Sequence, residues 1–182
     1  MNRQRKVSVV RIASAILTVA ISIAPVAVAQ QPEPTVLAPG LGVRKVVSGL
    51  TTPTTIAFID DDDILVLEKN TGKVRRVMNG VLQQGSVLQL PVNFFSERGL
   101  LGIALHPDFE ENGLVYLYWT ESSTGTVSGN APDVPLLGNR VDRFVWNGSM
   151  LTFDENLIRL RAFQADEGQP LRGNHNGGRM VF

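Results

Sequence analysis

The sequence predicts an all-β protein of repeated four-stranded units, the plan of a β-propeller. Three observations carry the prediction. Beyond Gly40, almost no run sets apolar residues at helical spacing over three turns. β-branched and aromatic runs of four to eight residues recur instead, bounded by Gly, Asn, Asp and Pro. The runs also repeat in order. Ile56-Ala57-Phe58, an acidic turn and Ile64-Leu65-Val66-Leu67 are echoed by Ile103-Ala104-Leu105, His106-Pro107-Asp108-Phe109 and Val115-Tyr116-Leu117-Tyr118. Lys73-Val74-x-Arg76-Val77 before Asn79-Gly80 is likewise echoed by Arg140-Val141-x-Arg143-Phe144 before Asn147-Gly148.

Taken in chain order, residues 1–29 read as a secretory signal. Arg3, Arg5 and Lys6 give a positive start, an apolar stretch runs from Ile12 to Val28, and Ala27-Val28-Ala29 is a small-x-small cleavage site. Arg11, Ser14, Ser22 and Pro25 interrupt the span, whereas a membrane helix asks for about 20 apolar residues. The segment is expected to be removed on export, leaving the protein periplasmic or secreted with no membrane span. Residues 30–41 (QQPEPTVLAPGL) form a proline-bearing, flexible lead-in. Residues 42–182 then carry the strands, expected at 43–48, 54–59, 64–68, 73–78, 86–90, 100–105, 114–120, 139–146, 157–163 and 179–182.

Four strands make a unit, and the unit occurs twice. A third copy opens at Gly177-Gly178-Arg179-Met180-Val181-Phe182, in the place where Gly99-Leu100-Leu101-Gly102-Ile103-Ala104 opened the second. A propeller needs at least four blades, here of roughly 50 to 75 residues each, so the chain is expected to be a fragment of about two blades plus the first strand of a third. The alternative is a complete sandwich or open barrel. That reading makes the repeat an accident and leaves the last strand without a turn or cap.

Composition excludes several functions. Of the 17 basic residues, Arg3, Arg5, Lys6 and Arg11 lie in the signal, so 13 basic face 17 acidic residues in the remainder, a net charge of −4. That balance argues against a nucleic-acid partner. There is no cysteine, hence no disulfide, no thiolate chemistry and no Cys-ligated metal. No glycine-rich phosphate loop, Ser-His-Asp set or His-x-x-x-His pair is present.

In a propeller the first strand of each blade lines the central channel, and the loop leading into it lies at a mouth where ligands bind. Two such loops have distinctive chemistry: Ser96-Glu97-Arg98-Gly99 and Gly173-Asn174-His175-Asn176-Gly177-Gly178. Glycines let backbone approach a ligand and leave the imidazole exposed. An exposed neutral imidazole can accept a proton from a substrate hydroxyl, although a loop histidine satisfied by neighbouring amides has the same spacing.

These residues also carry a resemblance. Gly-Leu-x-x-Pro-Thr-x-Ile-Ala-Phe (49–58), Ile-Leu-Val-x-Glu (64–68), Glu-Arg-Gly-Leu-Leu-Gly-Ile-Ala-Leu-His-Pro-Asp-Phe (97–109) and Gly-Asn-His-x-Gly-Gly-Arg-x-Val-Phe (173–182) together resemble the glucose/sorbosone dehydrogenase family. The terminal motif is most similar to its aldose sugar dehydrogenase branch. The resemblance implies an exported six-bladed β-propeller, truncated here, that oxidises aldose sugars at the anomeric carbon with pyrroloquinoline quinone (PQQ) and calcium and passes electrons to an external acceptor. It puts His175 on the family's general base, which takes the proton of the anomeric hydroxyl while hydride leaves for the quinone. Asn174 falls where the glucose enzymes have an aspartate that contacts the sugar; an amide still hydrogen-bonds a hydroxyl but brings no charge. Glu97 falls where they have a substrate-contacting glutamine, and is otherwise an ordinary loop carboxylate paired with Arg98. The family's orienting acid, the cations that hold PQQ and the calcium ligands all follow the opening of the third blade. No PQQ or calcium ligand is therefore assigned, and this chain is expected to be inactive alone.

Other conspicuous residues read as structural. His106 lies in a turn between strands, and Asp60-Asp61-Asp62-Asp63 lacks the alternating ligands and glycine of a calcium-binding hand. Tyr116, Tyr118 and Trp119 belong to a near-continuous apolar strand suited to packing between blades. Asn147-Gly148-Ser149 matches a glycosylation sequon. Two other classes stay open: a non-catalytic propeller that binds sugar or protein, and a lactonase-like hydrolase, for which Glu68 and Glu97 alone are too few metal ligands.

Overall fold

In a computed structural model, residues 34–163 and 174–182 are described. The expected signal, the start of the lead-in and Gly173 lie outside the described residues. The chain divides into two units, 1–43 and 44–182. Of the first, residues 38–40 form a turn in which the Leu41 amide donates to the Ala38 carbonyl at 3.4 Å. Among the described residues no helix is long and apolar enough to cross a membrane.

The second unit is built of two antiparallel sheets. β1 (Pro53–Asp60), β2 (Asp63–Glu68), β3 (Lys73–Met78) and β4 (Val81–Leu82) follow one another across the first, and β5 (Leu88–Gln89) also pairs with β3. The second runs β6 (Leu100–Leu105), β7 (Leu114–Thr120), β8 (Asn139–Trp146) and β9 (Leu151–Leu160), with a one-turn helix, α1 (Phe109–Asn112), between β6 and β7. β1 to β4 and β6 to β9 are each meanders in which consecutive strands pair, with β5 returning to β3. Most junctions are short turns, and residues 121–138 make the one long connection of the second sheet, between β7 and β8. Asn79 and Gly80, with φ of 50° and 74°, make the left-handed pair that a two-residue hairpin requires between β3 and β4.

Period-two patterning decides what the sheets bury. Leu65 and Leu67 of β2 and Val74 of β3 pack against Ile103 of β6 and Val115, Leu117 and Trp119 of β7, all nearly inaccessible. No ladder joins β1 to β6. The Thr54 and Thr55 hydroxyls instead donate to the Leu100 and Leu101 carbonyls at 3.1 and 2.9 Å. The other face of β7 carries Tyr116 and Tyr118, and the segment 174–182 lies against it. Phe182 meets the Tyr116 ring at 5.0 Å between centroids, and Gly178 abuts Leu101 and Gly102.

Several expected strands differ from the observed ones. Residues 43–48 form no strand: Val43 and Val46 are exposed and no described segment pairs with them. Residues 86–90 reduce to the two-residue β5. The last strand of the second sheet starts at Leu151, not at 157, and ends at Leu160. After the buried Leu151 it carries Thr152, Asp154 and Glu155 on an exposed edge, where Asp154 pairs with Arg143 at 2.5 Å. Residues 179–182 are not in a strand, since no described segment supplies a ladder, yet 177–181 runs beside β6 and together with Thr55 and residues 101–103 encloses a groove of about 480 Å³.

Candidate functional site

The two loops singled out in the sequence meet. Ser96 and Glu97 lie at an exposed turn before β6, held there by backbone contacts at its two ends. The Leu100 amide donates to the Lys69 carbonyl at 3.1 Å. A side chain at Gly99 would lie 2.5 Å from that same oxygen, so glycine permits the approach. Lys69 closes the turn, its ammonium donating to the Ser96 carbonyl at 2.8 Å. Burial pulls the Lys69 pKa down from the ordinary lysine value, and the neighbouring Glu97 carboxylate partly offsets this.

From this turn, Ser96 Oγ donates to Asn174 Oδ1 at 2.9 Å, and Glu97 Oε2 accepts the backbone N–H of His175 at 2.5 Å. Glu97, Asn174 and His175 thus share one rim although 78 positions separate the loops. Glu97 engages the main chain of His175. Its pairing with Arg98 does not occur: the Arg98 side chain is wholly buried and donates to the Ala131 and Ala162 carbonyls at 2.7 and 3.0 Å. Buried carbonyls at the right reach outcompete a carboxylate already in water.

His175 has φ of 58°, a left-handed conformation uncommon outside glycine, and its side chain is exposed. Its neighbour Asn176 is buried. The Tyr118 hydroxyl donates to the Asn176 carbonyl, and Asn139 Nδ2 donates to Asn176 Oδ1 at 3.2 Å. Burial raises the Tyr118 pKa. Sequence reasoning missed these supports. Their one signal is period: Tyr116, Tyr118 and Thr120 share a face of β7, and Thr120 opposes Asn139 in the ladder.

The remaining candidates lie elsewhere. A cleft of about 970 Å³ lies at the opposite ends of β1 and β6, lined by Asp60, Asp61, His106, Asp108 and Glu110 among others. Among the described residues no three His, Asp or Glu side chains converge as a metal site. Asp63 is tied to Arg76, and His106 Nδ1 accepts the Asp108 amide at 3.1 Å while its ring stacks near Tyr116. Glu68 accepts from the Thr51 amide, the Thr71 hydroxyl and Arg75. Trp119 faces the first sheet, its indole donating to Asp142 at 2.8 Å.

Comparison with known proteins identifies the lineage of this rim. Quinoprotein glucose dehydrogenase B of Acinetobacter calcoaceticus is 28% identical over 142 residues, 76% of this chain and 28% of that protein. A Thermus thermophilus oxidoreductase described as a glucose dehydrogenase is 33% identical, with a TM-score of 0.57 over 77% of this chain and 36% of its own. The PQQ-bound aldose sugar dehydrogenase of Streptomyces coelicolor is 29% identical, with a TM-score of 0.54 over 75% of this chain and 36% of its own. The chain spans about a third of the length of these relatives. The profile of the Glucose / Sorbosone dehydrogenase family matches residues 50–182, well over half of the sequence and both loops of the rim, and the chain therefore belongs to that family.

Proposed function

We propose that this chain is the part of an exported aldose dehydrogenase that carries its general base. Residues 1–29 are the export signal, 30–41 a lead-in, and 42–182 the opening blades of a six-bladed propeller acting in the periplasm or outside the cell. The observation that carries the reading is the meeting of Glu97, Asn174 and His175 at one rim, in a chain of this family. PQQ, when bound, would supply the two-electron oxidising chemistry, with an external electron acceptor as the redox partner.

The described residues do not fit either cofactor. Calcium would need several converging carboxylates, and no three converge among them. The carboxylates of PQQ would need cations turned toward them, whereas Lys69 and Arg98 beside the rim donate to backbone carbonyls. No ligand to either group is assigned to this chain.

The chain's own contribution is a proton acceptor and its setting. His175 takes the proton of the anomeric hydroxyl, which it can do because its imidazole is exposed on a turn fixed by Glu97. Asn174 supplies an amide to a sugar hydroxyl while Ser96 fixes its orientation. Glu97 serves the site through the His175 backbone and offers a carboxylate to the sugar.

The test is His175→Gln in a polypeptide that continues this sequence to the length of its relatives, loaded with PQQ and calcium and assayed by dye reduction with glucose. The expected result is a fall in kcat on the order of 10²- to 10⁴-fold with KM little changed. Wild-type kcat in the variant would overturn the assignment. The 182-residue chain alone should show no turnover under the same conditions.

A further inference from the structure

His175 occupies backbone space that a side chain resists. A left-handed non-glycine residue is strained and persists only where its surroundings over-determine it. Here the flanking contacts do so. Ser96 holds Asn174, Glu97 holds the His175 amide, and Asn176 is driven into the protein beneath. The first two contacts lie at an exposed rim, where water competes for each partner. The third is dry: Asn176 is 8% exposed, Tyr118 7% and Asn139 2%.

The dry contact is also the one braced from behind. Asn139 Oδ1 accepts the Thr120 hydroxyl at 2.7 Å, which fixes the amide so that its nitrogen faces Asn176 Oδ1 at 3.2 Å and the Arg161 carbonyl at 3.0 Å. Tyr118 and Thr120 sit two apart on β7, and Asn139 opposes Thr120 on β8. All three therefore project from one face of a paired sheet. With Asn176 drawn inward and a left-handed residue before it, the chain turns the intervening imidazole outward.

We propose that Tyr118 and Asn139 are positioning residues for His175, gripping Asn176 so that the turn presents the imidazole at the rim. The inference rests on the reading of His175 as the general base for its purpose, but not for its test. Tyr118 and Asn139 touch no reacting atom; they act through one buried asparagine.

The experiment is amide hydrogen exchange and imidazole NMR on the purified chain, comparing wild type with Tyr118→Phe and Asn176→Ala. Losing one buried hydrogen bond should speed exchange of the His175 and Asn176 amides by about five- to ten-fold. The His175 ring signals should shift and sharpen as the turn loosens. The amides of β2 and β3 serve as the control and should keep wild-type protection, which a general loss of stability would not allow. Unchanged exchange and ring signals at His175 in both variants would overturn the proposal. So would equal acceleration at His175 and in β2 and β3. Because neither readout involves sugar, a loosened turn combined with undiminished kcat in His175→Gln would leave the grip standing and remove the general base.

Discussion

Tyr118 gives the molecule a titration that can be seen without a ligand. Burial lifts its pKa above the ordinary tyrosine value of 10.0, because a phenolate would lose its hydration. The folded chain then keeps a proton that the unfolded chain releases above about pH 10. Its contribution to stability is complete below that pH and is lost as pH rises through the raised folded pKa. With only two tyrosines in the sequence, absorbance at tyrosinate wavelengths should show a late step coincident with alkaline unfolding. Tyr118→Phe should remove that step. A wild-type profile that Tyr118→Phe leaves unchanged in the pH range of unfolding would contradict the burial argument.

At the scale of elements, β6 and the segment after His175 approach closely at Gly102. A methyl group on Gly102 would fall 1.7 Å from the Gly178 carbonyl oxygen, so Gly102→Ala must push the two apart. The expected result is loss of the Phe182–Tyr116 ring contact in NMR, with the β6–β7 ladder retained. The strands that read most clearly from the sequence were those with a buried face: 73–78, 100–105, 114–120 and 139–146 match β3, β6, β7 and β8 residue for residue. Edge elements were the ones misread. Thr152, Asp154 and Glu155 hide β9 because past Leu151 both sides of this edge strand face water, and Val43 and Val46 mimic a strand with which no described segment pairs. The rim was legible as two loops, since glycine, asparagine and histidine together are unusual in a run of strands. The grip of Tyr118 and Asn139 on Asn176 was not, because a buried hydroxyl on an apolar strand looks like any other core aromatic until the opposing chain is in place.

At the scale of the whole unit, the two sheets share one apolar layer. Leu117, fully inaccessible, lies in it among Leu65, Leu67, Val74 and Val115. Leu117→Ala should cost about 2–5 kcal/mol, read as a lower urea midpoint with an unchanged slope. A single transition would show that the sheets unfold together; a split one would show that each meander stands alone. The seam between them is made differently from the sheets themselves, by packing, by the hydroxyls of Thr54 and Thr55 and by isolated backbone bonds such as Leu100 to Lys69, in place of a continuous ladder. A ladder permits pairing only in whole-residue steps, whereas a seam of methyls, hydroxyls and isolated backbone bonds is not bound to that step. A ring assembled from such joints closes by spreading its angular misfit over all of them, so that no single strand has to bend to complete the circle.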